Sequence, residues 1–89
     1  MICETVEIIN KLGLHARAAS KFVKLAMQFE SDISLKKGER SANGKSVMGV
    51  MMLAASKGTI LELNVAGSDE SEAYSALTAL IENKFDEAE

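Results

Sequence analysis

The sequence predicts an α+β fold in which four strands form one largely antiparallel sheet and three helices cover one of its faces. Two periodicities carry this prediction. Apolar residues alternate with polar ones over four short segments, as on half-buried strands, and recur at i, i+3, i+4 and i+7 over three others, as on amphipathic helices. The two kinds interleave as βαββαβα, and because each element has one apolar face, two packed layers bury them together. At 89 residues the chain has room for one such core, so residues 1–89 read as a single domain.

Ile2, Val6 and Ile8 alternate with Cys3, Thr5 and Glu7 and make a first strand. Asn10-Lys11-Leu12-Gly13-Leu14-His15 follows without periodicity, and Gly13 can take backbone angles that other residues resist, so the segment reads as a shaped loop. Ala19, Phe22, Val23 and Ala26 then fall at helical spacing, which predicts a helix from Ala16 to about Gln28 and leaves His15 at its entrance. Ile33 and Leu35 alternate with Asp32, Ser34 and Lys36. Lys36-Lys37-Gly38-Glu39 offers a turn into a short strand through Ala42, so these two strands form a hairpin.

Ser46 stands where the N-cap of a second helix belongs, with Val47, Val50, Met51 and Ala54 as its stripe and Lys57-Gly58 as its end. Ile60 to Val65 alternate again, with Leu61, Leu63 and Val65 inward. After Gly67, Asp69 and Glu72 are spaced as a capping pair for a last helix carrying Ala73, Ala76, Leu77, Leu80 and Ile81. Acidic Asp69-Glu70 at its start and Lys84 near its end suit the helix dipole.

Composition excludes several functions. A net charge of −3, with Phe22, Phe29, Tyr74 and Phe85 as the aromatic residues, lacks the basic surface and stacking rings of a nucleic-acid binder. One cysteine, Cys3, forms no internal disulfide, and with a single histidine no Cys/His metal cluster can assemble, so neither metal nor cofactor is expected. The N-terminus has no basic region followed by an apolar stretch. The longest apolar run, Val47 to Ala55, is far short of the roughly 20 residues that cross a bilayer. A soluble cytoplasmic protein without membrane insertion is expected. An autonomous enzyme is disfavoured, because the sequence offers no nucleotide-binding glycine loop and no paired carboxylates around His15.

The chemistry concentrates at His15. A helix start exposes unpaired backbone amides and about half a positive charge, which suits an anion. An imidazole there is a competent phosphoryl acceptor, and Arg17 adds a permanent cation with a fork of donors for phosphate oxygens. The amides of Ala16, Arg17 and Ala18 complete a cradle. A histidine near an arginine at a helix start is nonetheless common, and the spacing alone does not distinguish a site from an ordinary surface.

The longer string Asn10-Lys11-Leu12-Gly13-Leu14-His15-Ala16-Arg17-Ala18-Ala19 does distinguish it, because it closely resembles the active-site segment of the HPr family, the phosphocarriers of the phosphoenolpyruvate-dependent sugar phosphotransferase system. A second segment, Gly44-Lys45-Ser46-Val47-Met48-Gly49-Val50, resembles the family at the expected separation, and the likeness extends over nearly the whole chain. The resemblance implies an open-faced sandwich with strand order 1-4-2-3. It implies that enzyme I donates a phosphoryl group to His15 and that IIA domains receive it, which makes the protein a carrier. One departure is Ala18, where many members have proline; alanine restores an amide donor and is a good helix former, so helix entry should survive.

The resemblance also gives Ser46, otherwise a plain N-cap, a second role as target of HPr kinase/phosphorylase. It places a partner surface at Ser20, Lys21, Lys24, Val47, Met48, Gly49 and Met52, with Met48 and Met52 as an adaptable apolar pair off the core stripe. A solvated face is the alternative for Ser20, Lys21 and Lys24. A monomer is expected. Two other readings stay open: a purely regulatory carrier of a nitrogen-type or incomplete phosphotransferase system, and a non-phosphorylated α+β binding module such as a metallochaperone, which would want a Cys-x-x-Cys loop that the chain lacks.

Overall fold

The computed structural model of the chain describes residues 1–87. Its elements run β1 (Ile2–Glu7), α1 (Ala16–Ala26), β2 (Asp32–Lys37), β3 (Arg40–Asn43), α2 (Val47–Met52), β4 (Ile60–Ala66) and α3 (Glu70–Glu82), closed by a 3-10 turn over Lys84–Asp86. The strands form one antiparallel sheet in the order β1-β4-β2-β3. Periodicity cannot supply that order; the family resemblance did.

The register explains the layers. Ile2, Val65 and Ile33 share one row across β1, β4 and β2, and Leu63, Leu35 and Ala42 share the next across β4, β2 and β3. Because side chains alternate along a strand, these rows point to one face, where Ile33, Leu35, Ala42, Leu61, Leu63 and Val65 are buried. Against them lie Ala18, Ala19, Phe22, Val23 and Ala26 from α1, Val50 from α2, and Ala73, Leu77 and Ile81 from α3. The other face carries Cys3, Asn64 and Ser34 in one row and Thr5, Glu62 and Lys36 in another, polar enough to be left to water. The β2–β3 hairpin turns on Gly38 and Glu39, with Gly38 at φ 60°.

Three boundaries differ from expectation. The first helix stops at Ala26, two residues before Gln28. The second is only six residues long: it ends at Met52, not at Lys57-Gly58, because Leu53 and Ala54 close back on Val50 and Met51 and Ala54 then turns left-handed at φ 52°. Its buried stripe is Val50 and then Leu53, while Met51 and Ala54 face outward. Lys84 is not in the last turn of α3 but beyond it, in the 3-10 turn, at φ 56°.

The expected capping pair at the start of α3 does not form either. Asp69 occupies the N-cap position, yet its carboxylate makes no cap bond; it accepts from the backbone amides of Glu30 and Ser31 and from the Ser31 hydroxyl instead. Ser31 is almost fully buried, and an unpaired polar group there would be costly, so the carboxylate is drawn across to the turn after α1. These bonds, the Ser31 hydroxyl first, hold the Asp69 carboxyl below the usual aspartate range. Glu70 takes over locally, accepting from the Gly67 amide, and its other oxygen pairs with the N-terminal ammonium at 2.8 Å. Glu72 is exposed.

The segment after α2 has a positioning role. The Leu14 amide donates to the Ala55 carbonyl at 2.8 Å, and Gly13, at φ 66°, passes so close that a Cβ there would run into that same carbonyl oxygen. The loop before α1 is thereby seated on the 53–58 connection, with Leu14 buried beneath it. Among the described residues, no helix is long and apolar enough to cross a membrane.

Candidate functional site

His15 is the N-cap of α1. Its backbone is extended (φ −74°, ψ 178°), its carbonyl accepts from the Ala19 amide at 2.8 Å, and its ring Nδ1 accepts from the Arg17 amide at 3.3 Å. Helix entry survives with Ala18 in the first turn: Ala18 is wholly buried, so its methyl contributes to the core under the site.

The other ring nitrogen, Nε2, lies 2.7 Å from Glu87 Oε2. An Nδ1 that accepts must carry its lone pair, so the proton sits on Nε2 and is donated to the carboxylate. The ring is only partly covered, its side chain 27% exposed. Glu87 Oε1 accepts from Asn10 Nδ2 at 2.9 Å, and Asn10, fully buried, spends a second donor on the Gly13 carbonyl at 2.8 Å. The Asn10 bond, then the bond from His15 and the nearby Arg17 charge, hold the Glu87 carboxyl below the usual glutamate range. It is anionic at neutral pH.

The sequence offers no paired carboxylates around His15, and the fold adds a single one that spacing does not reveal: Glu87, 72 residues away in the chain, sits on the ring. Nothing in local spacing signals such a contact. Asn10 was read only as part of a motif and Glu87 not at all. Lys21, expected on a partner surface, is half-buried, its Nζ tied to the Phe85 carbonyl at 2.8 Å.

The remaining candidates separate into two groups. Arg17 and Ala16 are exposed beside the ring. Ser46 caps α2, its Oγ accepting from the Gly49 amide at 3.1 Å, as its position in the sequence implies. Met48 and Met52 project outward, 69% and 70% exposed, and Leu12 in the histidine loop is similarly bare at 67%. Lys24 is exposed, whereas Ser20, Val47 and Gly49 are half-buried. The short α2 packs against α1, the helix that His15 caps. No group of three or more His, Cys, Asp or Glu among the described residues could hold a metal.

Comparison with known proteins adds the following. A family model described as "PTS HPr component phosphorylation site" matches residues 2–83, a span that stops short of Glu87. The phosphocarrier protein HPr of Neisseria meningitidis is 55% identical over the whole of both chains, and that of Pseudomonas aeruginosa 53% identical over 94% of each. Among solved structures, HPr-C-His from Thermoanaerobacter tengcongensis superposes with a TM-score of 0.95 at 47% identity, covering all of both chains.

Proposed function

The chain belongs to the HPr family of phosphocarriers, components of the phosphotransferase system that take a phosphoryl group from enzyme I and pass it to IIA domains, and from that premise we infer that His15 is the acceptor and Nδ1 the atom that forms the bond. The observation that carries this reading is the capping geometry: the Nδ1 lone pair faces the first amides of α1 while Nε2 is occupied by its proton and Glu87. A phosphoryl group on Nδ1 would meet the amides of Ala16, Arg17 and Ala18 at the positive end of the helix, with the exposed Arg17 guanidinium free to swing over its oxygens. Incubation with enzyme I and phosphoenolpyruvate should add an acid-labile label to the protein and none to His15→Ala. An acid-stable label, or one that persists in the variant, removes the reading.

In this account the partners approach over α1 and α2. Exposed Met48 and Met52, with half-buried Gly49 and Val47 on the same short helix and Ser20, Lys21 and Lys24 on α1, supply an adaptable apolar patch rimmed by charge, which suits brief docking on more than one partner. Phosphorylation of Ser46 by HPr kinase/phosphorylase would place about two negative charges on that patch and weaken docking by repulsion. The protein acts as a single 89-residue domain, monomeric and cytoplasmic.

A further inference from the structure

The residue most closely engaged with the imidazole lies at the far end of the chain. Glu87 is held from two directions. Asn10, fully buried and anchored to the Gly13 carbonyl of the histidine loop, donates to one carboxylate oxygen; Lys21 and the buried ring of Phe85 fix the backbone two residues before it. The other oxygen is thereby presented to Nε2. A carboxylate so braced does for an imidazole what a buried aspartate does in a nucleophile–histidine pair: it selects one tautomer and faces the positive charge that the ring acquires during reaction.

We propose that Glu87, seated by Asn10, is a positioning residue for phosphoryl transfer, holding the His15 ring with its lone pair at Nδ1 and compensating the charge of the phosphorylated ring. This rests on the reading of His15 as acceptor. In the forward step the Nδ1 lone pair forms the N–P bond as the bond from phosphorus to enzyme I breaks, and the donor keeps that electron pair. The proton already on Nε2 stays there, so the phosphorylated ring is cationic and its N–H meets the Glu87 carboxylate. When the phosphoryl group passes on, the electron pair of the N–P bond returns to Nδ1 and the ring is neutral again, with no proton gained or lost. The Arg17 amide lies on the Nδ1 side of the ring and the Glu87 carboxylate on the Nε2 side, so the helix start receives the phosphoryl group while Glu87 faces the ring proton.

Because the carboxylate favours the cationic ring over the neutral one, it shifts the equilibrium with phosphorylated enzyme I toward the carrier. That equilibrium compares free species, so docking strength drops out of it. The test is Glu87→Gln, which keeps the shape and removes the charge, measured in the full chain beside wild type and His15→Ala. The ring nitrogens of wild type, read by 15N spectroscopy, should report a single tautomer with N–H at Nε2, and those of Glu87→Gln a mixture, since an amide can offer either an oxygen or an N–H. The equilibrium constant for accepting the phosphoryl group should fall roughly three- to tenfold in Glu87→Gln, the size of one partly exposed charge-assisted hydrogen bond. Unchanged tautomer and unchanged equilibrium constant in Glu87→Gln, with the label lost in His15→Ala, overturn the role of Glu87 alone. A label that persists in His15→Ala overturns the acceptor and, with it, the role of Glu87.

Discussion

Lys21 Nζ donates to the Phe85 carbonyl at 2.8 Å, joining the middle of α1 to the turn that carries the chain toward Glu87. That turn is unusual: Lys84, Phe85 and Asp86 all lie in the left-handed region, at φ 56°, 55° and 63°, where side-chain-bearing residues are disfavoured. It is held by the burial of Phe85, which has no exposed surface, and by the Asn83 side chain bonding to Asp86.

Phe85→Ala should therefore lower stability by about 3 to 5 kcal/mol, as expected for emptying a fully buried aromatic site, and should release the turn as well. Lys21→Met, which keeps the aliphatic stem and loses only the hydrogen bond, should cost roughly 1 kcal/mol. Urea denaturation of both variants checks the pair; equal effects would mean that the Phe85 ring is not the principal anchor.

Gly13→Ala should cost at least about 1 to 2 kcal/mol for the left-handed backbone alone. The new Cβ must also displace the Ala55 carbonyl that holds the Leu14 amide, so the histidine loop should move. Thermal unfolding measures the first effect and the rate of labelling the second, which should drop even at temperatures where the variant is fully folded.

The Asp69 clip predicts a pH dependence with a definite sign. Its folded-state carboxyl is depressed below the ordinary aspartate value of about 3.9, chiefly by the Ser31 hydroxyl and the Glu30 amide. Its contribution is thus fully present above that value and is lost as pH falls through the lower folded-state value. Asp69→Asn should be less stable at neutral pH and should show a shallower loss of stability on acidification below about pH 4. Parallel acid profiles for the two proteins would show that the clip contributes nothing.

At Ser46 the cap and the proposed regulation can be separated. Ser46→Ala should cost about 1 kcal/mol through the lost bond to the Gly49 amide. Ser46→Asp preserves a good N-cap but adds charge beside Met48, so its melting temperature should stay near that of wild type while transfer from enzyme I slows. Unaltered transfer kinetics in Ser46→Asp would dismiss the repulsion argument.

What the sequence made legible was what repeats locally. Alternation placed Leu61, Leu63 and Val65 on the inner face, and helical spacing placed Ala19, Phe22, Val23 and Ala26 in the core, because burial imposes the period of the element. His15 at a helix start and Ser46 as an N-cap were equally readable, since caps are decided within four residues. The larger misreadings came from contacts distant in sequence. Asp69 had the spacing of a capping residue, but a buried Ser31 claimed its carboxylate. Lys57-Gly58 had the composition of a helix end, but the chain turned away at Ala54 to support Gly13 and Leu14. Glu87 carried no local signal, since its role exists only once the sheet and α3 return the chain to α1.

The most direct test of the central claim is to phosphorylate the protein, with its histidine ring labelled with 15N, by enzyme I and phosphoenolpyruvate, and to read the coupling between phosphorus and nitrogen. The account predicts one phosphorus bonded to Nδ1 of His15, with Nε2 still carrying its proton. Phosphorus on Nε2, or on any residue other than His15, would contradict it.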